Sequence, residues 1–118
     1  MSTRCNIHFT ENGSIVANIY RHSDGYPDSE SGVLADLDKF FADVEAQTGS
    51  DCRFNDAEYL AARFVVWQAA QNSRNEQPLN FLGLGVCSRD HGDIEYVYEV
   101  KCDTYSRPVI VHRPTRAR

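Results

Sequence analysis

The sequence predicts an α+β domain in which a mainly antiparallel sheet of about five strands carries two helices on one face. The first observation is that five short segments have the apolar alternation or the compact apolar runs of strands. The second is that two longer segments between them have apolar residues at helical spacing, which gives the order ββααβββ without an internal repeat. A chain of 118 residues is expected to form a single domain, 1–118, with the basic residues 113–118 as a flexible tail.

Strands are predicted towards both ends of the chain. Residues 4–10 alternate apolar and polar side chains, and a tight Asn-Gly turn leads back into residues 14–20, which predicts a hairpin. Further strands are predicted at residues 81–87, 94–101 and 108–112. The last of these should lie at a sheet edge, because its proline has no N–H to donate to a strand ladder.

Both helices are predicted from their apolar spacing. The first should be capped by Ser31 and end at Thr48-Gly49. The second should begin at Asn55, with Glu58 three residues later as in a capping box. Its segment YLAARFVVWQAA is apolar on nearly all sides, which predicts burial on two sides. The residues of the two helices that are expected to be buried against the strands are Phe40, Phe41, Leu60, Phe64 and Trp67.

Composition and charge restrict the class of protein. The net charge is −5, so the overall basicity of a typical nucleic-acid-binding protein is absent and direct nucleic-acid binding is not expected. No apolar run approaches the roughly 18–20 residues that span a bilayer, and the N-terminal residues do not resemble a secretory signal. These features predict a cytoplasmic protein that does not act at a membrane.

The four cysteines are expected to be free thiols, because the cytosol does not maintain disulfides. They are Cys5, Cys52, Cys87 and Cys102. None lies in the C-x-x-C spacing typical of structural zinc, and the histidines are equally scattered. The sequence therefore predicts neither a metal site nor a cofactor.

Acidic residues are concentrated in the middle of the chain. Residues 24–58 contain ten acidic and two basic residues, a net charge of −8. The predicted acidic surface consists of Asp28, Glu30, Asp36, Asp38, Asp43 and Glu45. Within it, helical spacing places Asp36 with Asp43 on one face and Asp38 with Glu45 on another. Such a surface can occupy a protein groove built for nucleic-acid phosphate, although a charged run is equally typical of a solvated helix face.

Two polar loops are the other candidate site. The first polar loop is HSDGYPD, residues 22–28, and the second polar loop is DHGDIEY, residues 90–96. Their candidate residues are His22, Asp24, Tyr26, His91, Asp93 and Glu95. We expect an ordered first loop with positive φ at Gly25, and we expect His91 and Asp93 to lie close enough to this loop to share hydrogen bonds with it. The competing interpretation is that each loop is only a well-formed turn, because Asp and Gly are what turns require.

Motifs that would identify a reaction are missing from the sequence. It contains no P-loop, no H-E-x-x-H and no cysteine signature, and Gly83-Leu84-Gly85 precedes a strand rather than the helix of a dinucleotide fingerprint. Histidine with Asp and Glu can transfer protons or bind a divalent metal, but a metal site needs three or four convergent ligands. The catalytic residues are therefore unknown, and a binding protein is favoured over an enzyme.

Four stretches resemble an uncharacterised family of small bacterial and bacteriophage proteins. They are MSTRCNIHF, YRHSDGYPD, EYLAARFVVW and HGDIEYVYEV, and the similarity extends in that order to about Tyr105. The resemblance implies a setting of phage or prophage accessory genes, where small acidic proteins are often inhibitors of host defences, anti-CRISPR proteins among them. It implies no particular activity, cofactor or catalytic residue.

Two functions follow as hypotheses. The first is a phage-type accessory protein that binds another protein through its acidic surface, for example a nucleic-acid-binding host protein, as an inhibitor of host defence would. The alternative is a small-ligand-binding or catalytic protein whose polar site is built from the two polar loops. The sequence leaves the identity of the partner, the oligomeric state and the role of the arginine-rich C-terminus open.

Overall fold

A computed structural model describes residues 3–72, 79 and 82–115, and over these the predicted element order ββααβββ is confirmed. The elements are β1 (Cys5–Glu11), β2 (Ser14–Arg21), α1 (Val33–Thr48), α2 (Ala57–Asn72), β3 (Leu84–Val86), β4 (Tyr96–Lys101) and β5 (Val109–Pro114). The fold is α+β, as the sequence predicts.

The sheet has the strand order β3-β2-β1-β4-β5, with β1 in the centre. All neighbours are antiparallel except β1 and β4, which run parallel. The sheet is therefore mixed and mostly antiparallel, and β5 lies at an edge as predicted. Because β4 pairs directly beside β1, the turn before β4 returns to the end of the sheet where β1 begins.

The core lies between the helices and one face of the sheet. Side chains alternate along β1, so Cys5, Ile7 and Phe9 point towards the helices and are fully buried. The Phe9 ring lies 6.0 Å from the ring of Phe64 in α2. All five helix residues predicted to be in the core are buried, at 0–9% exposure: Phe40, Phe41, Leu60, Phe64 and Trp67.

The starts of both helices differ from the prediction. Gly32 is the N-cap of α1 and no side chain caps it, because the hydroxyl of Ser31 lies instead against the hydroxyl of Tyr26. In α2, Asp56 rather than Asn55 accepts the N–H of Tyr59 and so caps the helix. A carboxylate beside a helix N-terminus also complements the helix dipole.

Several strand boundaries also differ. The predicted strand at 81–87 is only Leu84–Val86, with residue 81 outside the described residues, and the one predicted at 94–101 begins at Tyr96. The predicted flexible tail was placed too early. Residues 113 and 114 belong to β5, and Thr115 donates its N–H to the carbonyl of Glu95, which extends the pairing with the chain before β4. Residues 116–118 of the tail lie outside the described residues.

The outer side of α2 is open to solvent. The helix packs on the sheet through Phe64 and against α1 through Phe64 and Trp67, which agrees with the predicted burial on two sides. On the remaining side Val66 is 70% exposed and Tyr59 is 44% exposed. Ala62, between them on the same side, is also exposed. The described elements supply one layer of helices and one sheet, so no further layer covers the outer side of α2 within this part of the chain.

Candidate functional site

Arg21, at the end of β2, organises the segment that contains the first polar loop. Its guanidinium is buried and pairs with the carboxylate of Asp36 at 2.8 Å. It also donates to the backbone carbonyls of Ser23, at 2.9 Å, and Ser31, at 3.1 Å. A fourth hydrogen bond reaches Gln68 in α2 at 3.2 Å. The loop is therefore ordered by a buried cation, a role that the sequence analysis missed.

Gly25 is held by hydrogen bonds between the chain just before β1 and a side chain of β4. Its N–H donates to the carbonyl of Thr3 at 2.8 Å, and its own carbonyl accepts the hydroxyl of Tyr98 at 2.7 Å. A Cβ on Gly25 would lie 2.8 Å from the carbonyl oxygen of Thr3, which is too close. The expected positive φ belongs to Asp24, at 53°, and not to Gly25. Glycine is required here for space rather than for its dihedral freedom.

The two polar loops meet through two side chains that the sequence analysis did not single out. Arg4 Nε lies 3.4 Å from His22 Nδ1 and 3.4 Å from Asp93 Oδ2. The Tyr20 ring stacks on His91 with 3.8 Å between centroids, and its hydroxyl lies 3.3 Å from His22 Nδ1. His22, His91 and Asp93 are thus brought together, but through Arg4 and Tyr20 rather than by the expected hydrogen bonds between the loops, since none joins residues 22–28 to residues 90–96 among the described contacts.

The other three predicted polar residues do not join this cluster. The hydroxyl of Tyr26 donates to Asp24 at 3.1 Å and contacts the hydroxyl of Ser31. Asp24 and Tyr26 are therefore hydrogen-bonded to each other within the first polar loop. Glu95 contributes its backbone, donating its N–H to the carbonyl of Arg4 at 2.8 Å. These residues shape the loops without lining the cluster.

A second polar network, which no local residue pattern predicts, lies on the face of the sheet away from the helices. His8 Nε2 lies 2.6 Å from Asp90 Oδ1, which also accepts a hydrogen bond from Asn18 at 2.9 Å. Asn6 donates to Asn18 at 2.7 Å and accepts the backbone N–H of His91 at 3.1 Å. Asn6, His8 and Asn18 are buried. Their hydrogen bonds to Asp90 and to the backbone of His91 hold the second polar loop against this face of the sheet.

Electrostatics in both clusters follow from these contacts. Partial burial acts to raise the pKa of Asp90, but hydrogen bonds from His8 and Asn18 outweigh it and the pKa is lowered. Burial, and then the nearby Asp93 carboxylate, raise the pKa of Tyr20. Since Arg4 Nε–H donates to His22 Nδ1, the proton of the neutral ring is on Nε2. The carboxylate of Asp93 already faces the donors of Arg4 and Tyr20, so an anionic ligand would have to compete with it for them.

The geometry favours neither metal ligation among the described residues nor nucleophilic chemistry at the two buried cysteines, Cys5 and Cys102. Among the described residues no three or more His, Cys, Asp or Glu side chains are grouped to hold a metal ion. All four cysteines are free, and burial raises the pKa of both Cys5 and Cys102 to about 12. A thiol with so high a pKa is a poor nucleophile at neutral pH.

Four residues of the predicted acidic surface have partners within the chain. Asp36 pairs with Arg21, and Asp43 accepts the indole N–H of Trp67 at 2.7 Å. Arg107, from the β4–β5 connection, donates from Nη1 to Asp38 at 3.0 Å and from Nε to Glu45 at 2.9 Å. The hydrogen bond from Arg107 lowers the pKa of Glu45. Helical spacing correctly placed Asp38 and Glu45 together, since one guanidinium reaches both. The remaining two acidic residues, Asp28 and Glu30, are exposed.

An open groove runs between the outer sides of α1 and α2. Its volume is about 490 Å³, and its floor includes Phe40, Val44 and Trp67. Tyr59 and Val66 form part of its α2 wall. The guanidinium of Arg63 lies 4.2 Å from the centroid of the Tyr59 ring. This cation–π contact holds the ring in place on the wall of the groove.

Comparison with known proteins adds no family to this description: no family model, curated protein or solved structure matches the chain. The resemblance to phage proteins therefore stays a prediction. Within the described residues, neither helix combines the length and the apolar character that crossing a bilayer requires.

Proposed function

We propose that this chain is a small phage-type accessory protein that binds another protein through its helical side, the outer surface of α1 and α2. Inhibition of a host defence system, as by anti-CRISPR proteins, is the form of this function that we favour. The observation that carries the proposal is the exposed apolar side of α2, formed by Tyr59, Ala62 and Val66. An apolar strip beside a groove and rimmed by polar residues is typical of a protein-binding surface.

Spacing supports this interpretation of α2. Tyr59, Ala62 and Val66 follow at i, i+3 and i+7, so they form one line along the helix. A small residue between two larger ones leaves room for a ridge of side chains from a partner helix. Burying a side chain such as Val66, now 70% exposed, would stabilise a complex by about 1.5 kcal/mol or more.

Charge supports a basic partner. Arg21, Arg63 and Arg107 contact the acidic segment from outside it and reduce its net charge of −8 to −5. Residues 24–58, which include α1, therefore keep a net negative charge that attracts basic surfaces over about a Debye length, roughly 8–10 Å at physiological salt. A host protein with a groove for nucleic-acid phosphate has the complementary charge.

The test is capture from host lysate with the wild-type protein and two matched variants. Val66→Asp should reduce recovery of the captured protein at least about tenfold, since it places a charge in the apolar contact. Val86→Asp, at an 80% exposed position on β3, should leave recovery unchanged. Recovery by the wild type should also fall as salt is raised. Capture that is indifferent to salt and to Val66→Asp would contradict the proposal.

A small-ligand-binding or catalytic function remains the second candidate, favoured by the meeting of the two polar loops at Arg4 and Tyr20. On this hypothesis, a native mass spectrum of the protein from its host should show a bound small anion. His22→Ala should remove that anion, whereas Asp24→Ala should retain it because Asp24 lies outside the cluster. A native mass spectrum without a bound anion, together with His22→Ala and Asp24→Ala variants that change only stability, would exclude this second function.

A further inference from the structure

Two buried polar residues beneath the second polar loop direct their donors at a single carboxylate. His8 on β1 and Asn18 on β2 are cross-strand neighbours, and neither is more than 8% exposed. Both bind the same oxygen of Asp90, His8 through Nε2 at 2.6 Å and Asn18 through Nδ2 at 2.9 Å. An ionised carboxylate only accepts hydrogen bonds, so His8 carries a proton on Nε2. Convergent donors of this kind, held on paired strands, are suited to a carboxylate.

Electrostatics favour the ionised form of a carboxylate at this position. Burial acts against the charge, but hydrogen bonds from the two donors and the nearby charge of Arg113 leave the pKa of Asp90 lowered. Glu99 lies beside His8 in the β1–β4 register, and Lys101 pairs with Glu99 at 3.9 Å, which partly offsets its charge. The surroundings of the two donors therefore stabilise an anion.

The polar row on β1 continues beyond the residues that the loop contacts. Thr10 follows His8 on the same face of the strand and is 2% exposed. Its hydroxyl has no hydrogen-bond partner within the part of the chain that the structure describes. Buried side-chain polar groups are rarely left unpaired. This hydroxyl is therefore a further polar group, close to the two donors, that the fold itself does not use.

The segment that covers the two donors contributes no apolar side chain to the core. It consists of residues 88–93, SRDHGD, all of them exposed, and is called the lid segment below. Backbone hydrogen bonds fix the chain on both sides of it. The N–H of Cys87 donates to the carbonyl of Asn18 at 2.9 Å, and the N–H of Glu95 donates to that of Arg4 at 2.8 Å.

Other attachments of the lid segment are polar or partly exposed. Asp93 pairs with Arg4, but these side chains are 51% and 36% exposed, and such pairs contribute little to stability. The ring of His91 stacks on Tyr20, and its backbone N–H donates to Asn6 at 3.1 Å. Segments with few buried apolar contacts open at free energies below that of global unfolding. The lid segment can therefore open while β1 and β2 stay paired.

We propose that His8 and Asn18 form a binding site for a small carboxylate, and that Asp90 is an internal ligand that occupies it while the lid segment is closed. A carboxylate from solution takes the place of Asp90 when the lid segment opens. Because Asp90 is attached to the chain, its effective concentration at the site is high, and a free carboxylate binds weakly until Asp90 is displaced or removed. The site is separate from the helical side and from the contact of the two polar loops at Arg4 and Tyr20.

Removal of Asp90 tests the site with sodium acetate as the probe. Asp90→Ala should bind acetate at least about tenfold more tightly than the wild type does, because the two donors are freed. NMR titration of the Asn18 side-chain amide measures binding, with sodium chloride at equal ionic strength as the blank. Asp103→Ala is the matched control. It removes another loop carboxylate, which accepts the N–H of Asn12 at 2.7 Å, and should bind acetate as weakly as the wild type does.

A double variant tests whether the donors hold the probe. Asp90→Ala combined with Asn18→Ala should lose saturable acetate binding, followed through the backbone amides of β1. The proposal would be overturned if Asp90→Ala bound no acetate, if it bound acetate no more tightly than the wild type or Asp103→Ala, or if the double variant still bound it.

Hydrogen exchange of the wild type tests the lid segment without any substitution. The N–H of His91 is bonded to the side chain of Asn6, whereas that of Glu95 is bonded to the backbone of Arg4. The protection factor of the His91 amide should be at least about tenfold lower than that of Glu95, because the lid segment opens while its end stays paired. Equal protection of the two amides would show that the segment opens only together with its anchor, which contradicts the proposal. None of these measurements involves the helical side.

Discussion

Phe64→Ala should lower the free energy of unfolding by about 3–5 kcal/mol, the cost of removing a buried aromatic side chain. Phe64 is fully buried in α2. Its ring lies 5.3 Å from Phe40, 6.0 Å from Phe9 and 6.1 Å from Trp67. The residue therefore joins both helices to the central strand, and its loss would leave a cavity among large rings that cannot close around it.

Urea unfolding, followed by the fluorescence of Trp67, measures this loss. Val66→Ala is the matched control, because Val66 lies on the exposed side of the same helix and its truncation should change stability by no more than about 0.5 kcal/mol. A loss for Phe64→Ala below about 1 kcal/mol would mean that α2 does not pack on the sheet through this residue.

Arg21→Met should also cost about 3–5 kcal/mol, because it removes one partner of a buried ion pair. The side chains of Arg21 and Asp36 are only 7% and 16% exposed. Without the guanidinium, the Asp36 carboxylate and the Ser23 and Ser31 carbonyls lose their donors. Methionine preserves most of the volume, so the loss reports the polar contacts rather than a cavity.

The matched control for this variant is Arg53→Met. Arg53 pairs with Asp51 at 3.1 Å, but the two side chains are 51% and 66% exposed. Exposed ion pairs contribute about 0–1 kcal/mol, so the control should remain near wild-type stability. If Arg21→Met and Arg53→Met are equally mild in chemical unfolding, then Arg21 does not organise the first polar loop.

Local pattern was sufficient for the elements but not for their exact ends. The apolar stripe of α1 and the Asn-Gly turn were identifiable because they depend on residues two to four positions apart. The helix α2 begins at Ala57 and not at the predicted Asn55. The neighbouring Asp56 caps it, and the carboxylate of Glu11, 46 residues earlier, accepts the N–H of Ala57. A cap that is supplied partly by a distant strand cannot be found in a local window.

Residue patterns predicted only some of the residues of the candidate site. His22, His91 and Asp93 were identified because chemically versatile side chains are conspicuous in turns. Arg4 and Tyr20, which connect them, occupy alternating positions near strand ends and carry no local signal. His8 and Asp90 are 82 residues apart and meet only because the second polar loop folds across the sheet. Polar residues on one face of a strand are equally typical of a face exposed to solvent, so their pattern does not indicate that a loop covers them.

Residue patterns were enough to predict the α+β class, the element order and the buried side of α1, because period-two and helical spacing define which side chains share a face. Tertiary structure alone decided that β4 lies parallel beside β1, and this pairing brings the two polar loops together. It also decided that one apolar side of α2 stays exposed and that Arg107 bridges Asp38 and Glu45, which offsets one of their two negative charges. The physical reason is that pairing between distant segments is selected by burial summed over the whole chain, which no short window contains.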